Sequence, residues 1–339
     1  MTMMRKLMAS AAMSCVIALP AMAQQITGAG ATFPAPVYTK WGEAAKAAVG
    51  VELNYQAIGS GGGQNQIISR SVDFGASDAP VDAAKLDTNK LVQFPMVMGA
   101  VVPIVNLPGV KQDELKLTGE VLADIYAGKI KRWNDAKIAE LNKEVKLPNQ
   151  AIAPVYRADA SGTSYVFTSY LSEQSSDWKS SVGANTSVSW PAGTGAKGND
   201  GVAGTVKNTT GAVGYVENAY ATENHLINTQ LRNKDGHFVK PTIASFQAAA
   251  ANADWASAKN YAVSIIDQPG ATTWPIVSAT FLLLPKDPKD PAREQLVLKW
   301  VNWDYEHGDQ LAQQLEYVPL PQKVKDLVRT TWKQQLNYK

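Results

Sequence analysis

The sequence predicts an α/β fold. Strand-like apolar runs alternate with helical stretches, Gly/Ser clusters punctuate them, and two long apolar strands divide the chain. Val51-Glu52-Leu53-Asn54-Tyr55 reads as a strand and Gly59-Ser60-Gly61-Gly62-Gly63 as the turn after it. Gln64 to Val72 then carries Ile67, Ile68 and Val72 at helical spacing, and Asp73-Phe74-Gly75-Ala76 returns as a short strand. This β-loop-α-β pattern recurs. Met96 to Val105 is a long, buried-looking strand, Ile276 to Leu284 is its late counterpart, and helices follow from about Arg293. Two lobes joined by two crossing strands account for this order, the first built from 24–100 plus 275–339 and the second from 101–274. The Ser/Gly/Thr-rich stretch Ser181 to Gly204 reads as a loop-rich surface, and no internal repeat is evident.

The N-terminus predicts export. Arg5 and Lys6 precede an apolar run from Leu7 to Leu19, Pro20 breaks it, and Ala21-Met22-Ala23 supplies a small-x-small cleavage pattern. Residues 1–23 are therefore expected to be a signal peptide, with the mature chain starting at Gln24 and residing in the periplasm. Cys15 raises a lipoprotein alternative, but Ala12-Met13-Ser14 lacks the usual Leu and the apolar run continues past the cysteine. The full chain has 32 basic and 30 acidic side chains; without Arg5 and Lys6 the balance is 30 to 30, which gives no nucleic-acid or polybasic membrane footprint. The single cysteine lies in the leader, so 316 residues must hold together without a disulfide, a size at which a core usually splits into two domains. After residue 23 no run of 18 apolar residues occurs.

Three segments place small hydroxyl residues and glycine at the start of a helix. In Gly28-Ala29-Gly30-Ala31-Thr32-Phe33-Pro34, which enters a helix through Pro36, the N–H groups of Thr32 and Phe33 point out of the helix start and Thr32 adds a hydroxyl. Ser60 and the glycines after it allow close backbone approach, and without a following Gly-Lys-Ser/Thr they form no nucleotide P-loop. In Arg157-Ala158-Asp159-Ala160-Ser161-Gly162-Thr163-Ser164, Ser161 is a helix cap, Gly162 and Thr163 present donors, and Asp159 is placed to pin the Arg157 guanidinium. Each segment alone also reads as an ordinary capped turn. Asp78, in Gly75-Ala76-Ser77-Asp78-Ala79-Pro80, is out of place near an anion unless that anion has a proton to donate. Hydrogen phosphate has one at neutral pH and sulfate does not, so Asp78 becomes a selectivity element.

Gly193-Thr194-Gly195-Ala196-Lys197-Gly198 matches G-x-G-x-x-G with Glu217 about 20 residues on. It lies mid-chain after a Ser/Gly-rich loop, however, and is read as a flexible loop and not a dinucleotide site. His225, His237 and His307 are scattered and show no metal-ligand spacing. Neither a metal, a cofactor nor catalysis is expected.

Gly28 to Pro36, Asp73 to Asp78, Ser161-Gly162-Thr163-Ser164, Gly211-Ala212-Val213-Gly214-Tyr215-Val216-Glu217 and Trp274-Pro275-Ile276 resemble, in order, the periplasmic phosphate-binding proteins of Pst-type phosphate ABC transporters. The resemblance covers essentially the whole mature chain. It implies a type II periplasmic-binding-protein fold, two α/β lobes with a two-strand hinge and the ligand in the interlobe cleft. It further implies a monomer that captures inorganic phosphate and passes it to inner-membrane permease subunits. Ala31, Thr32 and Phe33 are implied as backbone donors, Ser60 as a hydroxyl donor, Asp78 as proton acceptor, and Arg157, Ser161, Gly162 and Thr163 as the opposite wall. Two departures stand out: Gly61 where a second Ser is common, and Ala160 where a Gly is frequent, a change that matters if that backbone needs positive φ. A receptor for another oxyanion, a secreted phosphatase and a surface adhesin are the rival readings.

Overall fold

The computed structural model describes residues 24–336 and 338. The signal expected over 1–23, with Cys15, lies outside them. The first segment supplies β1 (Gln24–Gly30), β2 (Val51–Ala57), β3 (Phe74–Ser77) and β4 (Leu91–Val105), with helices Ala35–Val49 and Ser60–Ile68 crossing between the parallel strands. The middle segment adds β5 (Lys116–Leu117), β6 (Ala153–Arg157), β7 (Thr194–Ala196), β8 (Ala212–Glu217), β9 (Ile227–Asn228), β10 (Gln230–Arg232) and β11 (Phe238–Val239). Strand β12 (Val277–Pro285) then returns, and the helices Pro291–His307, Asp309–Gln314 and Gln322–Gln335 follow. The pairing order β2-β1-β3-β12-β4-β8-β6-β7 forms one continuous path, and β5, β10 and β11 form a small separate sheet.

Strand β4 organises this path. Its fifteen residues are all buried, as the apolar run Leu91 to Val105 requires of a strand covered on both faces. Residues 91–100 pair antiparallel with β12, and 101–105 pair with β8. Ala100 opposite Val277 is the last pair on one side, and Val101 opposite Glu217 is the first on the other. One strand thus belongs to two half-sheets. The β4–β12 register shifts between Thr280 and Phe281, opposite Pro95, which has no N–H to give to a ladder. At the crossover the buried Trp274 donates its indole N–H to the Val101 carbonyl at 3.0 Å, so the second crossing is anchored to the first.

The two long strands appear where expected, β4 beginning five residues earlier than Met96 because Leu91 to Pro95, apolar but for the buried Gln93, extend the run. The stretch Ser181 to Gly204 departs from expectation. It contains the edge strand β7 and the opening of helix Gly198–Asn208. Three residues paired in parallel to β6 are too short to leave a period-2 trace among so many Gly and Ser.

Candidate functional site

Helix Gly162–Gln174 starts where Ser161 takes extended backbone and its Oγ accepts the Ser164 N–H at 3.0 Å, the cap the sequence indicated. Helix Ser60–Ile68 starts after Gly59 at φ 91°, a conformation that favours glycine. The two helix starts meet directly. The Gly162 N–H donates to Ser60 Oγ at 3.0 Å, and the Asp78 N–H donates to the same oxygen at 3.1 Å. A Cβ on Gly162 would lie 2.4 Å from Ser60 Oγ and 2.5 Å from Asp78 Oδ2, so this approach exists only for glycine. With both lone pairs of Ser60 Oγ occupied, its hydrogen is available only for donation.

Arg157, at the end of β6, is buried and held by Asp159. Its Nε–H donates to Oδ1 at 2.8 Å and its Nη2–H to Oδ2 at 2.6 Å, the forked pairing that a two-residue spacing allows. A third hydrogen, on Nη1, goes to Thr163 Oγ1 at 3.3 Å, leaving two of the five guanidinium hydrogens for another acceptor. Burial alone pushes the Asp159 carboxyl up. The hydrogen bonds and charge of Arg157, with the Gly198 N–H at 3.1 Å, outweigh it and set its pKa below the usual range.

The Gly28–Pro34 turn lies beside these groups. Thr32 Oγ1 accepts the Asn199 side-chain amide at 2.7 Å, and that amide also reaches Thr163 Oγ1 at 3.3 Å. Tyr220 donates its hydroxyl to the Thr32 carbonyl at 2.5 Å, and Tyr317 donates to the Phe33 carbonyl at 2.6 Å. Ala31 is close by, but its N–H is committed to the Ala76 carbonyl at 3.0 Å. Among the described residues, the Thr32 and Phe33 N–H groups have no such acceptor, so the free donors of this turn are theirs. The Ser161 N–H is likewise engaged by the Thr186 carbonyl at 2.9 Å, so Ser161 can offer its hydroxyl but not its backbone.

Asp78 lies at the centre, 1% exposed. Its Oδ1 accepts the Thr280 hydroxyl at 2.8 Å, and Oδ2 faces Gly162. Burial raises its pKa to about 7, and the Thr280 hydrogen bond, the Arg157 charge and Ser60 offset that only in part. The structure therefore brings these residues together as two adjoining hydrogen-bonded groups, Ser60, Asp78 and Gly162 in one and Thr32, Arg157 and Thr163 in the other. Ser161 is tied to the second through Ser164 and Tyr215, and Ala31 and Phe33 flank them. Such a set offers hydroxyl, amide and guanidinium donors and one carboxylate. It suits a compact oxyanion that carries a proton.

Three partners escaped the sequence reading. Thr280 sits mid-strand in the apolar run Ile276 to Leu284, and a buried hydroxyl there was the available signal. Tyr215 OH accepts the Arg157 N–H at 3.1 Å and pairs with Ser164 Oγ at 2.6 Å, and in the sequence it stands only as part of the Gly211–Glu217 motif. Asn199 follows the last glycine of the G-x-G-x-x-G match. That match contains strand β7 itself and ends on the first residue of the next helix, and its helix start serves Asp159 and Thr32. The two departures also explain each other. A Cβ on Gly61 would lie 2.5 Å from Ala160 Cβ, while the Gly61 N–H donates to the Ala160 carbonyl at 2.9 Å. Ala160 is not among the described residues with positive φ, so its methyl costs no backbone strain.

The family model for the PBP superfamily domain matches residues 18–305. The chain is 47% identical over 331 residues to the phosphate-binding protein PstS of Pasteurella multocida, covering 98% of this chain and 96% of that protein. This chain belongs to the PstS family. Its PstS relative from Haemophilus influenzae is 46% identical over 93% of this chain and 95% of its own length. Among solved structures, a periplasmic phosphate-binding protein (PfluDING) bound with phosphate superposes with a TM-score of 0.74 at 21% identity, over 91% of this chain and 93% of that one. A substrate-binding protein of Clostridium perfringens with bound phosphate gives a TM-score of 0.64 at 15% identity, over 88% and 100% of the two chains. The PstS-family chain thus has the type II periplasmic-binding-protein fold that its motifs implied.

Proposed function

We propose that this chain binds inorganic phosphate in the periplasm, between lobes 24–100 plus 275–339 and 101–274, and delivers it to the permease subunits of a phosphate ABC transporter. The reading rests on one arrangement: a buried carboxylate, Asp78, set among donors from both sides of β4. Thr32 and Phe33 N–H groups, the hydroxyls of Thr32, Ser60, Ser161 and Thr163, the Thr163 N–H and two Arg157 hydrogens serve the anion; Asp78 accepts its proton. Ala31 and Gly162 shape the walls, since their N–H groups are engaged within the protein. The chain acts as a monomeric receptor without catalysis, a metal or a cofactor, and residues 1–23 direct its export. PstS relatives named for phosphate binding support this reading.

Calorimetric titration of the chain lacking residues 1–23, freed of bound anion by unfolding and refolding, is the test. One-to-one phosphate binding at micromolar affinity or tighter at pH 8, with no sulfate signal, is expected. Equal binding of sulfate would remove the selectivity role of Asp78 and leave a general oxyanion receptor. A folded sample that bound neither anion would overturn the receptor reading.

The Gly61–Ala160 contact yields a second expectation. Gly61→Ser alone should weaken phosphate binding about tenfold by overpacking the closed cleft, and Ala160→Gly in the same chain should restore it to within about threefold. Equal losses in the single and double variants would show that the contact does not limit closure.

A further inference from the structure

Asn199 is fully buried at the second position of helix Gly198–Asn208. Its Oδ1 accepts the Glu217 N–H at 3.1 Å, which fixes the amide one way round and turns both Nδ2 hydrogens toward the cleft. One reaches Thr32 Oγ1 at 2.7 Å and the other Thr163 Oγ1 at 3.3 Å. Each hydroxyl also receives a second donor: the Asn199 N–H on Thr32 Oγ1 and Arg157 Nη1 on Thr163 Oγ1, both at 3.3 Å. A threonine oxygen has two lone pairs and one hydrogen. With both lone pairs filled on both oxygens, each hydroxyl can only donate.

We propose that Asn199 is a positioning residue that fixes the Thr32 and Thr163 hydroxyls, one from each side of the cleft, as donors to the bound anion. The inference rests on the phosphate reading above. It adds a reason for where the ligand's proton lies. A hydroxyl free to rotate can accept a hydrogen bond from an acidic P–OH as readily as it donates to a bare oxygen. Once Asn199 removes that freedom, the protonated oxygen has its match at Asp78 and the bare oxygens theirs at the threonines.

Asn199→Asp is the informative variant. It keeps the shape and the acceptor for the Glu217 N–H, but replaces the two amide hydrogens with an oxygen toward which both hydroxyls turn. Phosphate affinity at pH 8 should fall about 50-fold in the otherwise unchanged chain, and only about sevenfold when Thr32→Val or Thr163→Val is already present, because one of the two hydroxyls is then gone. An undiminished loss in both valine backgrounds would mean that the new charge simply repels the anion, and the proposal would fall. So would affinity within threefold of the unmodified chain. If the aspartate variant does not fold, as judged by its ligand-free unfolding transition, Asn199→Ala in the same backgrounds gives the same comparison, and additive losses refute the idea. An unmodified chain that fails to bind phosphate would instead overturn the functional reading.

Discussion

Arg157→Ala should weaken phosphate binding about a thousandfold, because two charge-assisted hydrogen bonds worth roughly 2 kcal/mol each are lost together. Asp159 adds to the loss. Its carboxylate is held low by Arg157, and with the guanidinium gone it becomes an unpaired negative charge beside the anion. Thr163 Oγ1 also loses one of its two donors and is free to rotate. Titration calorimetry with phosphate up to millimolar concentration reads the effect directly. Affinity near that of the unmodified chain would remove Arg157 from the site. The double variant Arg157→Ala/Asp159→Ala should recover part of the loss, which separates missing hydrogen bonds from uncovered charge.

Asp78→Asn should reduce the phosphate-over-sulfate preference by about a hundredfold or more, since a buried acceptor that demanded a ligand proton is replaced by a group able to donate. Unchanged discrimination would sink the proton-acceptor role. Burial places the Asp78 pKa at about 7, so pH probes the same residue without mutation. Between pH 8 and pH 5.5 the carboxyl of the ligand-free chain takes up its own proton, and the preference for phosphate over sulfate should shrink. In Asp78→Asn it should stay flat. Folding stability follows with a definite sign. The folded-state pKa lies above the ordinary carboxyl value of 3.8, so the native chain binds the extra proton. The stabilising contribution of that proton is full below about pH 4 and is lost as pH rises through about 7. Ligand-free Asp78→Asn should therefore unfold at a higher temperature than the unmodified chain at pH 8, with the difference closing toward pH 4.

Much of this candidate site is legible in the sequence, because its parts are local. A Gly-rich turn, a Ser cap opening a helix, and an Arg two residues before an Asp each leave their mark within eight residues. The α/β class and the two long strands were equally plain, since a strand buried on both faces reads as an apolar run, and Met96 to Val105 marked the greater part of β4. The short strand β7 was not, because three residues of Thr, Gly and Ala carry no period.

What the sequence determined by itself was the alternation of strands and helices, the three donor-bearing helix approaches and the anomalous carboxylate, all set by composition and spacing along a few consecutive residues. The tertiary structure decided which of those groups remain free. It closed the Ala31 and Gly162 donors onto Ala76 and Ser60, pinned Asp78 with Thr280 from 202 residues away, and set Asn199 between Thr32 and Thr163. Hydrogen bonds of that range depend on how the half-sheets meet along β4. No local period encodes that meeting, so the direction of each hydroxyl hydrogen, and with it the anion the cleft prefers, emerges only on folding.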